Sequence, residues 1–261
     1  MILAIDIGNT NLVLGAFEED KLKFVARISS DTNRTEDEMA VIIKSVLENH
    51  GAYSSDISGT IISSVVPSLT QTSSKAIKLL TGEYPFVVEP GIRTGINILI
   101  DNPAQLGSDL LVDSVAAANL YPKPVIIVDM GTATTFSVVD EDNCMIGGAI
   151  MPGVRISVNA LSERTAQLPH INIEAPKKAI GTNTIDCMRS GVVFGAAAMI
   201  DGMIDRFEEE LGKECFVVAT GGLAEEVCKH TKRKIEYNKN LILEGLFILY
   251  HKNLKNFKSK K

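Results

Sequence analysis

The sequence lacks a long apolar run, an excess of basic charge, paired cysteines and any low-complexity block. No uninterrupted apolar stretch reaches 18 residues, so the pattern predicts no membrane span. Lys and Arg number 26 against 32 Asp and Glu, a formal charge of −6. An acidic chain has no general basic face with which to displace the counterions of nucleic acid, so no nucleic-acid partner is expected. Cys144, Cys187, Cys215 and Cys228 form no C-x-x-C pair and have no histidine at zinc-finger spacing, which reads as four reduced packing thiols in a reducing compartment. The amino-terminal residues contain neither a basic segment nor a cleavage site, so the expected location is cytoplasmic. What remains is the composition of an ordinary globular protein, 45% hydrophobic and 22% charged. At 261 residues it is long enough for one large domain or two modest ones.

The most informative stretch is Met1 to Asn11. Met1 to Ile5 is almost wholly apolar, as in a strand buried on both faces. It ends at Asp6 and turns through Gly8, with Asn9, Thr10 and Asn11 supplying short polar side chains. A strand and tight turn of this kind can present one carboxylate and several N–H groups to a phosphate and its metal. An ordinary polar hairpin after a buried strand would read the same way. A near-repeat favours the first reading and two domains. Val125 to Thr135 again runs four apolar residues, Asp129, an apolar residue, Gly131, then Thr132 and further hydroxyl residues. Two such turns, facing each other across a cleft between duplicated domains, would suit a nucleoside triphosphate and its cation without a Walker lysine, and no G-x-x-x-x-G-K-[ST] run is present.

The pattern between these stretches predicts strands at Leu12 to Phe17 and Lys21 to Ile28, then a helix opened by a Thr35–Glu38 capping box and closed near Gly51. A strand over Thr60 to Val66, a helix over Ser68 to Leu80 and a short strand at Phe86 to Val88 follow. Arg93 to Gln105 reads as an irregular surface loop, Leu110 to Asn119 as a helix, and Tyr121 to Pro124 as a break. That break divides the chain into domains 1–121 and 122–261. The second half predicts three strands, Val125 to Asp129, Thr134 to Asp140 and Met145 to Met151. Helices are expected at about Val154 to Ser162 and Ile185 to Leu211, then a strand at Cys215 to Ala219, with helices flanking Lys229 to Asn238. Lys252 to Lys261 reads as a solvated helix end whose lysines suit the C-terminal dipole, or else as a contact for an anionic partner. Val217 to Ala224 is an apolar strand ending in Gly221-Gly222, where paired glycines permit close approach of a ring such as adenine or simply make a turn.

Asp6-Ile7-Gly8-Asn9-Thr10, Asp129-Met130-Gly131-Thr132 and Thr220-Gly221-Gly222 resemble the two phosphate elements and the adenosine element of the superfamily of acetate kinases, sugar kinases, actin and heat-shock chaperones. Five features narrow the likeness: the amino-terminal Asp-x-Gly-Asn-Thr, Asn102-Pro103 followed by Gly107-Ser108-Asp109, the Asp129 to Thr134 stretch, Gly148 through Pro152-Gly153, and Ser162 to Pro169. Together they resemble type III pantothenate kinase from Met1 to about Tyr250. The resemblance implies an α/β fold of two duplicated ribonuclease-H-like domains, the actin-like ATPase fold, with an interdomain cleft.

It further implies transfer of the γ-phosphoryl of ATP, with Mg²⁺, to the terminal hydroxyl of pantothenate, which opens coenzyme A synthesis. Position by position, Asp6, Ile7, Gly8, Asn9, Thr10, Asn11, Leu12 and Val13 match the ATP phosphate segment and Thr132 the second phosphate contact. Asp109 matches the general base and Asp129 a ligand of the monovalent cation, K⁺ or NH₄⁺. Gly107, Ser108, Asp109 and Leu110 fall on the pantothenate side. Thr184 matches a pantothenate contact given by the other subunit, which implies a homodimer. Local roles compete for two of these, since Asp109 and Thr184 both stand where a helix cap would. Two positions depart from the family pattern: Leu110 where an arginine usually follows the Asp, and Ile100 where relatives often have tyrosine. Leucine cannot supply the forked donors of a guanidinium. Arg155, Arg164 and Arg189 are candidates to replace it, or else ordinary surface or interface arginines. The two departures leave open a kinase of the same fold for another small hydroxyl acceptor. A noncatalytic nucleotide-binding regulator is the further alternative.

Overall fold

The computed structural model describes residues 1–258, with side chains described to residue 254. The first half begins with three strands, β1 (Ile2–Ile7), β2 (Asn11–Glu18) and β3 (Lys21–Ser29), an antiparallel meander. Helix α1 (Glu36–Asn49) follows, opened by the expected capping box in which Thr35 and Glu38 each satisfy the other's backbone N–H. Next come β4 (Gly59–Ser64), α2 (Pro67–Thr81) and β5 (Phe86–Val87). Both β4 and β5 run parallel to β1, giving the sheet order β3-β2-β1-β4-β5.

The surface excursion contains a short strand the sequence did not announce, β6 (Asn97–Ile98), and it ends in α3 (Ser108–Leu120). The meander then recurs as β7 (Val125–Met130), β8 (Ala133–Val139) and β9 (Cys144–Pro152), followed by α4 (Val154–Arg164) and the long α5 (Thr184–Leu211). After β10 (Phe216–Thr220), α6 (Ala224–Cys228) and β11 (Glu236–Tyr237), the chain closes with α7 (Leu241–Lys258). The second sheet has the order β11-β10-β7-β8-β9-β6. Without β6, this is the first sheet's order and sense, strand for strand. The chain is thus a duplicated α/β fold of ribonuclease-H type.

The chain divides into two compact units. Unit 1 holds Met1–Ile96, Asp101–Ala116 and the segment from Leu241; unit 2 holds Asn97–Ile100 and Ala117–Asn240. The division at Ala116/Ala117 lies near the expected boundary of 121/122, but α7 sides with the first sheet. Its buried Leu241, Leu243, Leu246 and Leu249 explain why, since each leucine withdrawn from water contributes about 1.5–3 kcal/mol. Gly15 of β2 leaves the space that Leu243 fills, and Phe247 stacks on Phe17 with ring centroids 4.4 Å apart. On the other face of that sheet, Leu3, Ile5 and Ile7 pack with Met39, Ile43 and Leu47 of α1 and Leu69 of α2. The first strand is therefore buried on both faces, as its apolar run predicts.

In unit 2 the equivalent face, Ile126, Val128 and Met130, packs with Ala197, Ile200 and Ile204 of α5. By length and composition α5 could cross a membrane. Arg189 and Asp201 interrupt its apolar run, and its buried row belongs to the core just described. The four cysteines are free; burial pushes the Cys228 thiol up to about 11, in keeping with a packing role. The α7 lysines of the expected solvated tail lie largely outside the described side chains, as residues 259–261 do entirely.

Candidate functional site

In unit 1 the expected residues gather at one end of the sheet. Asp6 is the last but one residue of β1, and between the paired Ile7 and Leu12 four residues make the turn. The Gly8 N–H donates to Asn11 O at 3.0 Å and closes that turn, leaving Asn9, Thr10 and Asn11 exposed. Ile7 and Leu12 have fully buried side chains, so only their backbone can meet a ligand. The turn is held from the side by a residue outside the motif: Ser30 Oγ donates to Gly8 O at 2.6 Å and the Ser30 N–H to Thr10 O at 2.9 Å. The turn is thereby fixed at two points to the residue after β3.

The acceptor-side motif sits at the start of α3. Asp109 lies in the first turn, partly exposed, and its Oδ1 accepts the Leu110 N–H at 2.8 Å. Among the described residues its Oδ2 accepts no hydrogen bond, so one oxygen serves the helix end and the other is available to a ligand. Both readings of this aspartate, cap and base, are compatible with that arrangement. Ser108 is differently employed. Its Oγ donates to Ser64 O at 2.9 Å and accepts from Ser63 Oγ at 3.1 Å and the Ser64 N–H at 3.2 Å. Ser63 pairs in register with Asp6 across β1 and β4.

Unit 2 repeats the hairpin with three residues, Gly131, Thr132 and Ala133, between the paired Met130 and Thr134. Here glycines do the positioning. A Cβ on Gly153 would drive into the carbonyl oxygens of Thr132 and Gly131, so that glycine lets the end of β9 pass directly beneath the turn. Gly221 has φ +96°, and a Cβ there would come 2.6 Å from Asp129 Oδ1 and from the Met130 carbonyl carbon. Gly222 faces open space. The backbone after β10 therefore lies against the Asp129 carboxylate with a bare approach beside it. Thr134 Oγ1 is buried with no hydrogen-bond partner among the described residues.

The donor chemistry of this corner, a carboxylate amid backbone carbonyls, fits a hard cation. Among the described residues no cluster of three or more His, Cys, Asp or Glu could hold a metal by side chains alone. The remaining candidates are placed apart. Thr184 is the exposed first residue of α5, and the helix is capped by Asn183, whose side chain accepts the Asp186 N–H at 2.9 Å, so the capping role expected of Thr184 belongs to its neighbour. Arg189 is ion-paired with Glu174, while Arg155 and Arg164 are exposed on α4. Ile100 falls in unit 2 and Leu110 in unit 1. Ser30 and Ser63 were missed by sequence reasoning, because an isolated serine at a strand end carries no spacing signal.

A family model described as type III pantothenate kinase matches residues 2–206. Solved structures show the same fold at low identity. One is described as a conserved putative Baf family transcriptional activator from Campylobacter jejuni, with a TM-score of 0.61, 20% identity, and 97% and 99% of the two chains covered. A putative 2-dehydro-3-deoxygalactonokinase from Sinorhizobium meliloti aligns with a TM-score of 0.58 at 13% identity over 96% and 98%. A ROK hexokinase from Thermus thermophilus aligns with a TM-score of 0.54 at 11% identity over 98% and 99%.

Proposed function

The chain belongs to the type III pantothenate kinase family, and on that premise we propose that this kinase transfers the γ-phosphoryl group of ATP to the terminal hydroxyl of pantothenate. The observation that carries the reading is Asp109, fixed at the head of α3 with one carboxylate oxygen committed to the backbone and the other available. In the reaction the pantothenate hydroxyl oxygen forms a bond to the γ-phosphorus. The bond from that phosphorus to the β,γ-bridging oxygen breaks, its electron pair leaves with ADP, and the hydroxyl proton passes to Asp109. A positioned base of this kind is worth about 10²- to 10⁴-fold.

The other residues bind and orient. The exposed turn of Asn9, Thr10 and Asn11 and the Thr132 turn offer N–H and hydroxyl donors to phosphate oxygens. Asp6 offers a carboxylate toward Mg²⁺ that accompanies ATP. Asp129, lying against Gly221, would hold a monovalent cation, K⁺ or NH₄⁺, whose positive charge would offset the negative charge of the phosphates. In a homodimer Thr184, exposed at the start of α5, would reach the pantothenate of the partner copy. Ile150, Ile156 and Ile185 of unit 2 are exposed apolar side chains of the kind an association of copies would cover.

Coupled measurement of ADP formation with and without pantothenate tests the reaction, and a rate independent of pantothenate would overturn it. Asp109→Asn is expected to retain ATP binding and lose at least about 100-fold in kcat. A second reading, another small hydroxylated acceptor, is favoured by Leu110 and Ile100 in place of the family's arginine and tyrosine. A panel of acceptors at fixed ATP separates the two. ATP binding without any acceptor-dependent turnover would instead favour a noncatalytic regulator.

A further inference from the structure

Ser108 stands in a motif whose resemblance assigns it to pantothenate, yet its hydroxyl is already committed in three directions. It donates to Ser64 O and accepts from Ser63 Oγ and the Ser64 N–H, all between 2.9 and 3.2 Å. Both ends of this junction matter for the reaction. Ser63 is fully buried in β4 and pairs with Asp6, so the two residues lie on the same face of the sheet, on neighbouring strands about 4.8 Å apart. Ser108 is the first residue of α3, immediately before Asp109. Beyond the junction Thr70 Oγ1 donates to Ser64 Oγ at 2.6 Å, and Ser64 Oγ accepts the Val66 N–H at 3.1 Å, so the end of β4 is itself tied to α2.

We infer that Ser63 and Ser108 form a positioning latch that sets Asp109 at a fixed offset from the phosphate-binding strand. The inference rests on the phosphoryl-transfer reading above. A hydroxyl with all its bonding capacity spent has none for a substrate, whereas a helix start bonded to a strand end cannot rotate its first turn independently. Asp109 Oδ1 takes the Leu110 N–H, and Leu111 N–H donates to Gly107 O at 3.1 Å, so that first turn moves as one piece with the latch. Removing the Ser108 hydroxyl would free α3 to shift against β4 and leave the buried Ser63 hydroxyl without the partner it now has. Gly107 completes the arrangement, because a Cβ there would collide with Asp109 Oδ1.

Ser108→Ala is expected to lower kcat between about 10- and 100-fold, the scale on which small misplacements of a reacting group act, with KM for ATP changed less than about twofold. Ser63→Ala leaves the two Ser108–Ser64 bonds in place and should lower kcat less, and the double variant should lose no more than Ser108→Ala alone, since that change already removes the one bond Ser63 makes to it. In an Asp109→Asn background Ser108→Ala should have no further effect on residual turnover. A merely structural serine would lower turnover in both backgrounds, and a pantothenate-binding serine would raise KM for pantothenate; either result overturns the latch. Hydrogen exchange at the Leu111 amide provides a readout without turnover: Ser108→Ala should speed it about tenfold, and unchanged exchange also overturns the inference. Should the wild-type protein show no pantothenate-dependent rate, the proposed function fails while the exchange measurement still decides the latch.

Discussion

The two Asp-ended hairpins share strand order and the position of their carboxylates, yet they are secured by different means. The first has four residues in its turn and is gripped by Ser30, whose hydroxyl donates to Gly8 O and whose backbone N–H donates to Thr10 O. The second has three, and it is seated on backbone, with Gly153 beneath Thr132 and Gly221 against Asp129. A hydroxyl clamp can be lost one hydrogen bond at a time. A glycine seat has no such intermediate state, because any side chain displaces main chain. The same duplication has thus produced one turn tolerant of substitution in its support and one that is not.

The sharpest way to break this comparison is Gly221→Ala. The new methyl meets Met130 backbone, and the left-handed φ adds strain of about 1–3 kcal/mol, so we expect a stability loss of at least about 2 kcal/mol in chemical denaturation and loss of nucleotide binding by calorimetry. Unchanged stability would mean that the second turn is not seated on glycine. Ser30→Ala should be milder, about 1 kcal/mol, read as a rise of roughly fivefold in KM for ATP with the fold intact. An effect as large as that of Gly221→Ala would erase the distinction.

The smallest expected effect concerns the helices packed on the two central strands, α1 on β1 and α5 on β7. In unit 1 the Thr35 backbone N–H, and then its hydroxyl, hold the Glu38 carboxyl below its ordinary range. A carboxyl depressed on folding stabilises above its unfolded pKa and loses that contribution as pH falls through the folded value. The Tm gap between wild type and Glu38→Gln should therefore be present at neutral pH and close on acidification. In unit 2 the corresponding cap is Asn183, which does not titrate, so Asn183→Ala should lower Tm without this acid dependence.

Much of this was legible from sequence because the signals were local. The apolar runs ending at Asp6 and Asp129 marked the paired hairpins, and Thr35 with Glu38 marked the start of α1 to the residue. The strands β6 and β11 were not legible, since two residues such as Asn97 and Ile98 form a strand only because Cys144 and Met145 offer an edge. Nor could periodicity show which sheet α7 joins. Its leucine row says that one face is buried; only the gaps left at Gly15 and Gly59, filled by Leu243 and Tyr250, say where. Asp109 was visible as a motif residue, but its support was not, for Ser108 lies 44 residues from Ser64 along the chain. The Thr184 cap was misplaced by one residue because Asn183 and Thr184 are both capping types, and spacing does not choose between adjacent candidates.

The allegiance of α7 also dictates an order of assembly. β1 leaves the ribosome long before α7, and the two pack in one unit. Until Leu243 and Phe247 arrive, Gly15 and Phe17 face an uncovered side of the first sheet. The first unit must therefore wait until Ala117 to Asn240, which belong to the second, have been synthesised. Such distant closure is slow in folding terms, and it makes α7 the closing element of the first unit: a chain arrested before Leu241 carries its first phosphate turn on a half-covered sheet.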